Sequence, residues 1–264
     1  MNMQESEGIA WGVADGIGRI VLKRPERANA IGRSSARVLV RAIDEVIAQQ
    51  PRAILLTGEG RVFCAGGDIG EFVAAGEALP ALVDDILNRL HPALLRLSAQ
   101  PAPLVVAVNG AVGGAGVGLA LCGDFVLAAE SMKLRTGYAA IGLSPDAGAS
   151  YFLARRVGLV RAQQLLMLSD AIDSQRCLAW GAVDALHPDA ELMAAAEALV
   201  ARLANGASAS FAGIKALCAG APGRPFEEHL AMEQKLLRER AGSGDAKEGV
   251  AAFVEKRAPR FTGG

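Results

Sequence analysis

The 264-residue chain is short of several things that mark whole classes of protein. Its four cysteines, Cys64, Cys122, Cys177 and Cys218, lie 58, 55 and 41 residues apart with no C-x-x-C pair, so they offer neither a disulfide scaffold nor a zinc or dithiol motif. Reduced thiols in a cytoplasmic protein are the expectation. Excess charge is missing as well: 27 Lys and Arg against 28 Asp and Glu leave −1, with no basic tract for nucleic acid or an anionic membrane. No run of 18 apolar residues occurs, and the opening MNMQESEGIA lacks the basic and apolar segments of an export signal. No membrane partner is expected. With 52% apolar and 21% charged residues, the composition suits one large globular domain, or a main domain with an appendage, able to bury a core without staples.

The common catalytic signatures are absent too. There is no G-x-S-x-G elbow, no H-E-x-x-H and no GK[ST] after a glycine-rich turn. From Gly114 and Gly116 a dinucleotide fingerprint would need glycine at 119, where Leu119 stands. The three histidines, His91, His187 and His229, are scattered, and because His91 and His187 each precede proline they are expected at element boundaries. No metal site is expected.

What the chain does hold is a repeated strand, turn and helix pattern. Two runs of β-formers between residues 9 and 22 flank Asp15-Gly16, a strong hairpin signal. A helix follows from about Ser34 to Gln49, with Val38, Ala42, Ile43 and Val46 on its apolar face, then a buried strand from Arg52 to Gly58. The unit recurs as a helix through Asp84 to Leu97, a strand from Leu104 to Val108 and a glycine-rich turn from Asn109 to Gly118 leading into helical LALC. Such βα units imply parallel strands. Another strand spans Phe125 to Ala129, and from about Ser150 the pattern is helical, broken at Gly206, at Ala219 to Pro225 and at Gly242 to Gly244.

Two loops stand out, CAGGDIG at 64–70 and GAVGGAGVG at 110–118. Each follows an apolar strand and opens a helix, so unpaired N–H groups face outward and small residues let a ligand come close. One such loop would be read as tight packing; a pair suggests a cradle for an oxyanion or phosphate.

The segments RPERANAI (24–31), GEGRVFCAGGDI (58–69), AVNGAVGGAGVGLALCGDFVLAAES (107–131), IGLSPDAGASYFLARRVG (141–158) and EGVAAFVEKRAPRF (248–261) resemble, in order, those of the enoyl-CoA hydratase/isomerase (crotonase) superfamily. The resemblance implies an α/β fold, a spiral of ββα units over residues 1–205, with a C-terminal helical trimerisation region over 206–264. It implies an acyl-CoA substrate, CoA being part of that substrate and no other cofactor needed, and a homotrimer or a hexamer built as a dimer of trimers. In this family one N–H from each loop holds the thioester oxygen, and by position these belong to Gly67 and Ala115. Arg27, Ala28, Ala30, Ala65, Gly66, Asp68 and Ile69 would line the nucleotide arm with Gly114 nearby, Phe253 and Lys256 would reach it from the last helix, and Tyr138 would face the acyl group.

The hydratase pattern of two glutamates falls here on Gly118 and Tyr138, neither of which replaces a carboxylate pair that activates water and delivers a proton. One acid remains, Asp146. Its Ser-Pro-Asp setting also reads as a helix start, with Ser144 as cap and Pro145 in the first turn. Members that carry Asp here include phenylacetate-degradation-type isomerases, which implies double-bond isomerisation with Asp146 as proton shuttle. Alternatives are a hydratase, a hydrolase or a dehalogenase-like enzyme using water or Asp146 as nucleophile, and a non-catalytic acyl-CoA binder; an RNA-binding role is disfavoured by the charge.

Overall fold

The structure, a computed structural model, describes residues 3–263. Strands β1 (Gln4–Ser6), β2 (Ile9–Ala14) and β3 (Ile17–Leu22) form an antiparallel ribbon, followed by helix α1 (Arg33–Ala48). The turn at Asp15 and Gly16 has φ +53° and +73°, the left-handed pair that Asp-Gly adopts in a two-residue hairpin. Helix α1 buries Ala36, Leu39, Ala42, Ile43 and Val46, so Leu39 takes the core position expected of Val38, which is half-buried.

From here the chain repeats one unit. A long strand joins a large sheet, a short strand joins a small one, and a helix returns. β4 (Ala53–Gly58) and β5 (Val62–Cys64) lead to α2 (Ile69–Ala75) and α3 (Leu79–Ala99). β6 (Leu104–Val108) and β7 (Ala111–Gly113) lead to α4 (Ala115–Leu121), and β8 (Phe125–Ala129) and β9 (Lys133–Arg135) lead to α5 (Ala149–Val157). The large sheet has the order β1-β2-β3-β4-β6-β8 and is closed by β11 (Ala185–His187); from β3 to β11 all neighbours are parallel. The small sheet runs β5-β7-β9 in parallel and ends on antiparallel β10 (Ile172–Asp173). Both sheets advance in the same direction, one strand per unit, which is the spiral of ββα turns.

Strand β4 is buried on both faces, so its period of two divides between two cores. Ile54 and Leu56 face α1 and α3, while Ala53 and Leu55 face α8 (Leu192–Ala204), which contributes Leu192, Ala196 and Val200. Each buried aliphatic side chain of this kind contributes roughly 1.5–3 kcal/mol. Between α5 and α8 lie α6 (Leu159–Leu168) and α7 (Ser174–Ala179). The chain ends in α9 (Ser208–Gly220), α10 (Phe226–Ala241) and α11 (Gly244–Val254), anchored to the core by Arg52, whose guanidinium donates to the Gly206 carbonyl at 2.7 Å, and by a 2.6 Å Lys215–Asp124 ion pair. Among the described residues no helix is long and apolar enough to cross a membrane.

Two local expectations are corrected. Helix α3 continues through His91 and Pro92, so His91 is not at an element boundary, whereas His187 does end β11. Ser144 to Asp146 do not begin a helix: α5 starts at Ala149 behind Gly148, and the Ser-Pro-Asp segment belongs to no regular element.

Candidate active site

Short strands β5 and β7 lie side by side, so the glycine-rich loops that follow them must meet. Residues 27–31 pack along the first loop: the Ala65 N–H donates to the Ala28 carbonyl at 3.0 Å, the Ile31 N–H to Gly66 at 2.7 Å, and the Asp68 N–H to Ile31 at 3.0 Å. This Ile31–Gly67 bridge uses the carbonyl before Gly67 and the amide after it, which leaves Gly67's own N–H facing the other way. Gly66, at φ +100°, suits glycine: a β-carbon there would be strained and crowded, 3.0 Å from the Gly113 oxygen and 3.1 Å from the Ala115 nitrogen. The two loops therefore touch where Gly66 precedes Gly67 and Ala115 opens α4.

In the second loop the Gly114 N–H donates to the Thr136 carbonyl at 3.1 Å, and the Val117 N–H to Gly114 at 2.9 Å. Among the described residues no main-chain or side-chain acceptor takes the N–H of Gly67 or of Ala115. Ala115 is buried and Gly67 half-buried, and amides so placed are normally paired, so two unpaired donors on touching loops offer a site for an external oxygen.

The third segment carries Asp146. Its carboxylate is half-buried and accepts a 2.6 Å hydrogen bond from the Tyr138 hydroxyl. Burial, then the Asp146 charge and that hydrogen bond, push the Tyr138 phenol well above its usual range, so it stays a neutral donor. At the start of the first loop, burial pushes the Cys64 thiol up to about 12, opposed by the Gly66 amide and helped by the Asp146 charge. Cys64 is thus an inert packing group, and the contact of the Ala147 carbonyl with Gly118 of α4 sets the chain next to Asp146 beside the second loop.

Gly118 marks where the hydratase pattern would place a second carboxylate. A β-carbon built there meets the Ala147 carbonyl oxygen at 2.0 Å and the Ala149 nitrogen at 3.0 Å. The chain that carries Asp146 fills the space a longer residue would need.

The other expected binding residues divide into two groups. Arg27, Ala28, Ala30, Ala65 and Gly66 come together along the first loop, and Ile69 is 53% exposed at its far end. Asp68 is buried, its carboxylate accepting from the Gly70 and Glu71 amides at 3.0 and 3.3 Å and lying 3.8 Å from Arg27, so it caps α2 and steers Arg27. Phe253, 86% exposed at the end of α11, and Lys256, exposed beyond it, make no hydrogen bond or ion pair with the two loops among the described residues.

Residues 12–264 match the model of the enoyl-CoA hydratase/isomerase family. The chain belongs to that family. It is an enzyme of the family acting on an acyl-CoA thioester. A Rhodobacter capsulatus protein named "Probable enoyl-CoA hydratase" is 37% identical over 97% of this chain and 98% of its own. The 1,2-epoxyphenylacetyl-CoA isomerase of Escherichia coli is 34% identical over 95% and 97%. The crystal structure of an enoyl-CoA hydratase from Polaromonas superposes with a TM-score of 0.89 at 31% identity, covering 96% of this chain and 99% of that one.

Two polar residues at the site were not singled out from sequence. Buried Asn29 ties the segments together, accepting from the Arg24 amide at 2.7 Å and donating to the Val62 and Glu59 carbonyls at 2.7 and 3.0 Å. His91 accepts from the Ala147 amide at 3.1 Å. Asn29 carried a signal, a lone amide inside RPERANAI; His91 carried a misleading one, the proline after it.

Proposed function

We propose that the enzyme moves a carbon–carbon double bond in an unsaturated acyl-CoA, with Asp146 as the single proton carrier. The observation that carries this reading is the Ala147 carbonyl lying where a side chain at 118 would begin, so one carboxylate serves the site. Adding water across a double bond calls for two positioned groups; moving a proton between two carbons calls for one.

In this reading the Gly67 and Ala115 amides hold the thioester oxygen. Asp146 takes a proton from the carbon next to the double bond, the electron pair spreads into a dienolate whose charge rests on that oxygen, and the protonated Asp146 returns the proton at the other end. The oxygen carries more charge in the dienolate than in the thioester, so fixed amides favour the transition state; one such donor is worth about 3 kcal/mol, or about 100-fold. Tyr138 orients the carboxylate and walls the acyl side. Arg27, Ala28, Ala30, Ala65, Gly66 and Ile69 line the path of the CoA arm beside Gly114 and the Asp68 main chain. Exposed Phe253 and Lys256 serve a neighbouring copy's site in a homotrimer or hexamer.

The test is incubation with 3-hexenoyl-CoA and 2-hexenoyl-CoA in deuterated water, followed by mass spectrometry. Deuterium uptake and interconversion of the two without gain of water supports isomerisation. A product heavier by one water, or free CoA, replaces it with hydration or hydrolysis.

A further inference from the structure

We propose that His91 is a positioning residue for Asp146, holding the 146–148 segment through its unprotonated Nε2; this rests on reading Asp146 as the proton carrier. Ala147 has φ +49°, a left-handed value that costs a non-glycine residue free energy and calls for outside restraint, and Gly148 follows at +77°, where glycine is at ease. The restraints can be named. The Ala149 N–H donates to the Asp146 carbonyl at 2.8 Å and closes the turn, while the Ala147 carbonyl abuts Gly118. The Ala147 N–H, in the peptide unit directly after Asp146, donates to His91 Nε2 at 3.1 Å.

That last bond fixes the plane of the 146–147 peptide and so the direction in which the Asp146 side chain leaves the backbone. The far end of the same side chain is held by Tyr138 at 2.6 Å. The carboxylate is thus gripped at both ends, by His91 through the main chain and by Tyr138 directly. An imidazole nitrogen accepts only when it carries no proton, so the neutral ring bears its hydrogen on Nδ1. His91 and Ala147 also line a cavity of about 1290 Å³ between α3, α5 and α9, so water could satisfy the freed amide but could not hold it in place.

His91→Leu removes the acceptor at similar volume, and His91→Gln returns one through its amide oxygen. The readouts are hydrogen exchange at the Ala147 amide, circular dichroism, and kcat and KM for 3-hexenoyl-CoA. We expect H91L to speed Ala147 exchange by about tenfold or more and to lower kcat by about 10- to 100-fold with KM within about twofold. H91Q should restore both to within about threefold. Unchanged Ala147 exchange in H91L, or folded H91Q as impaired as H91L, overturns the proposal. Should the unmodified enzyme leave the hexenoyl-CoAs untouched, the isomerase reading fails by itself, and Ala147 exchange alone decides the His91 contact by the same two outcomes. If H91L does not fold, His91→Asn, too short to reach the amide, takes its place.

Discussion

Gly118 offers the sharpest perturbation, because adding one methyl group there sets two known effects against each other. The new β-carbon would lie 2.0 Å from the Ala147 oxygen, 2.8 Å from its carbon and 3.0 Å from the Ala149 nitrogen, all main-chain atoms that no rotamer change can move. Restoring ordinary contact needs roughly 1 to 1.5 Å of displacement. Overpacking of this kind costs about 3 kcal/mol at the upper end of its usual range. Exchanging Gly for Ala inside a helix returns about 1 kcal/mol. Strain therefore wins by about 2 kcal/mol, or about 4–8 °C in Tm for a chain of this size. The part that yields is the segment carrying Asp146, and a shift of about 1 Å in a reacting group costs about 100-fold in turnover. Calorimetry and steady-state isomerisation of Gly118→Ala should show a folded protein with this Tm loss and kcat loss and with little change in KM. A Tm within about 1 °C of the parent together with unchanged kcat would refute the steric reasoning, and with it the claim that main chain occupies the second carboxylate's place. Gly118→Glu should gain no hydratase activity.

Further outcomes follow from other contacts. Asp146→Asn keeps a partner for Tyr138 but cannot carry the proton, so deuterium incorporation into 3-hexenoyl-CoA should fall by about 1000-fold without loss of fold. Ala115→Pro deletes one donor at the first position of α4, which tolerates proline; kcat should drop by about 100-fold while circular dichroism is unchanged. Asn29→Ala strands three hydrogen bonds between buried segments and should cost about 3 kcal/mol in urea unfolding. The Arg257 guanidinium, first, and the Arg260 amide hold the Glu248 carboxyl at about 2, below its unfolded value. Their pairing therefore stabilises the tail above the ordinary carboxylate range and is lost as pH falls toward 2. Amide exchange around residues 257–262 should rise between about pH 5 and 2, and Glu248→Gln should abolish that dependence.

The parts of the fold legible in sequence were those long enough to show a period. β4, β6 and β8 are apolar runs of five or six residues, α1 repeats its apolar face over 16, and Asp15-Gly16 announces its hairpin. The small sheet was invisible because β5, β7, β9 and β10 have only two or three residues each, too few for any alternation, although they bring the loops together. β1 was missed for the same reason, despite the left-handed Glu7-Gly8 turn that pairs it with β2. Within the site, the two loops came from residue type and order, while Asp146 stood out only through the family resemblance. Their restraint could not: the Tyr138 and His91 hydrogen bonds span 8 and 56 residues, and a proline that usually marks a break lies here inside α3. Asp146 itself looked like a capping acid because Ser-Pro-Asp favours a helix start, yet the chain first turns at Ala147 and Gly148, against Gly118, and α5 begins only at Ala149.

The most direct examination is a crystal structure of the enzyme with hexanoyl-CoA, a saturated thioester that it cannot turn over. We expect the thioester oxygen within about 3 Å of both the Gly67 and Ala115 nitrogens, with the Asp146 carboxylate facing the first carbons of the acyl chain. A thioester oxygen bound away from those two amides, or an acyl chain directed away from Asp146, would contradict it.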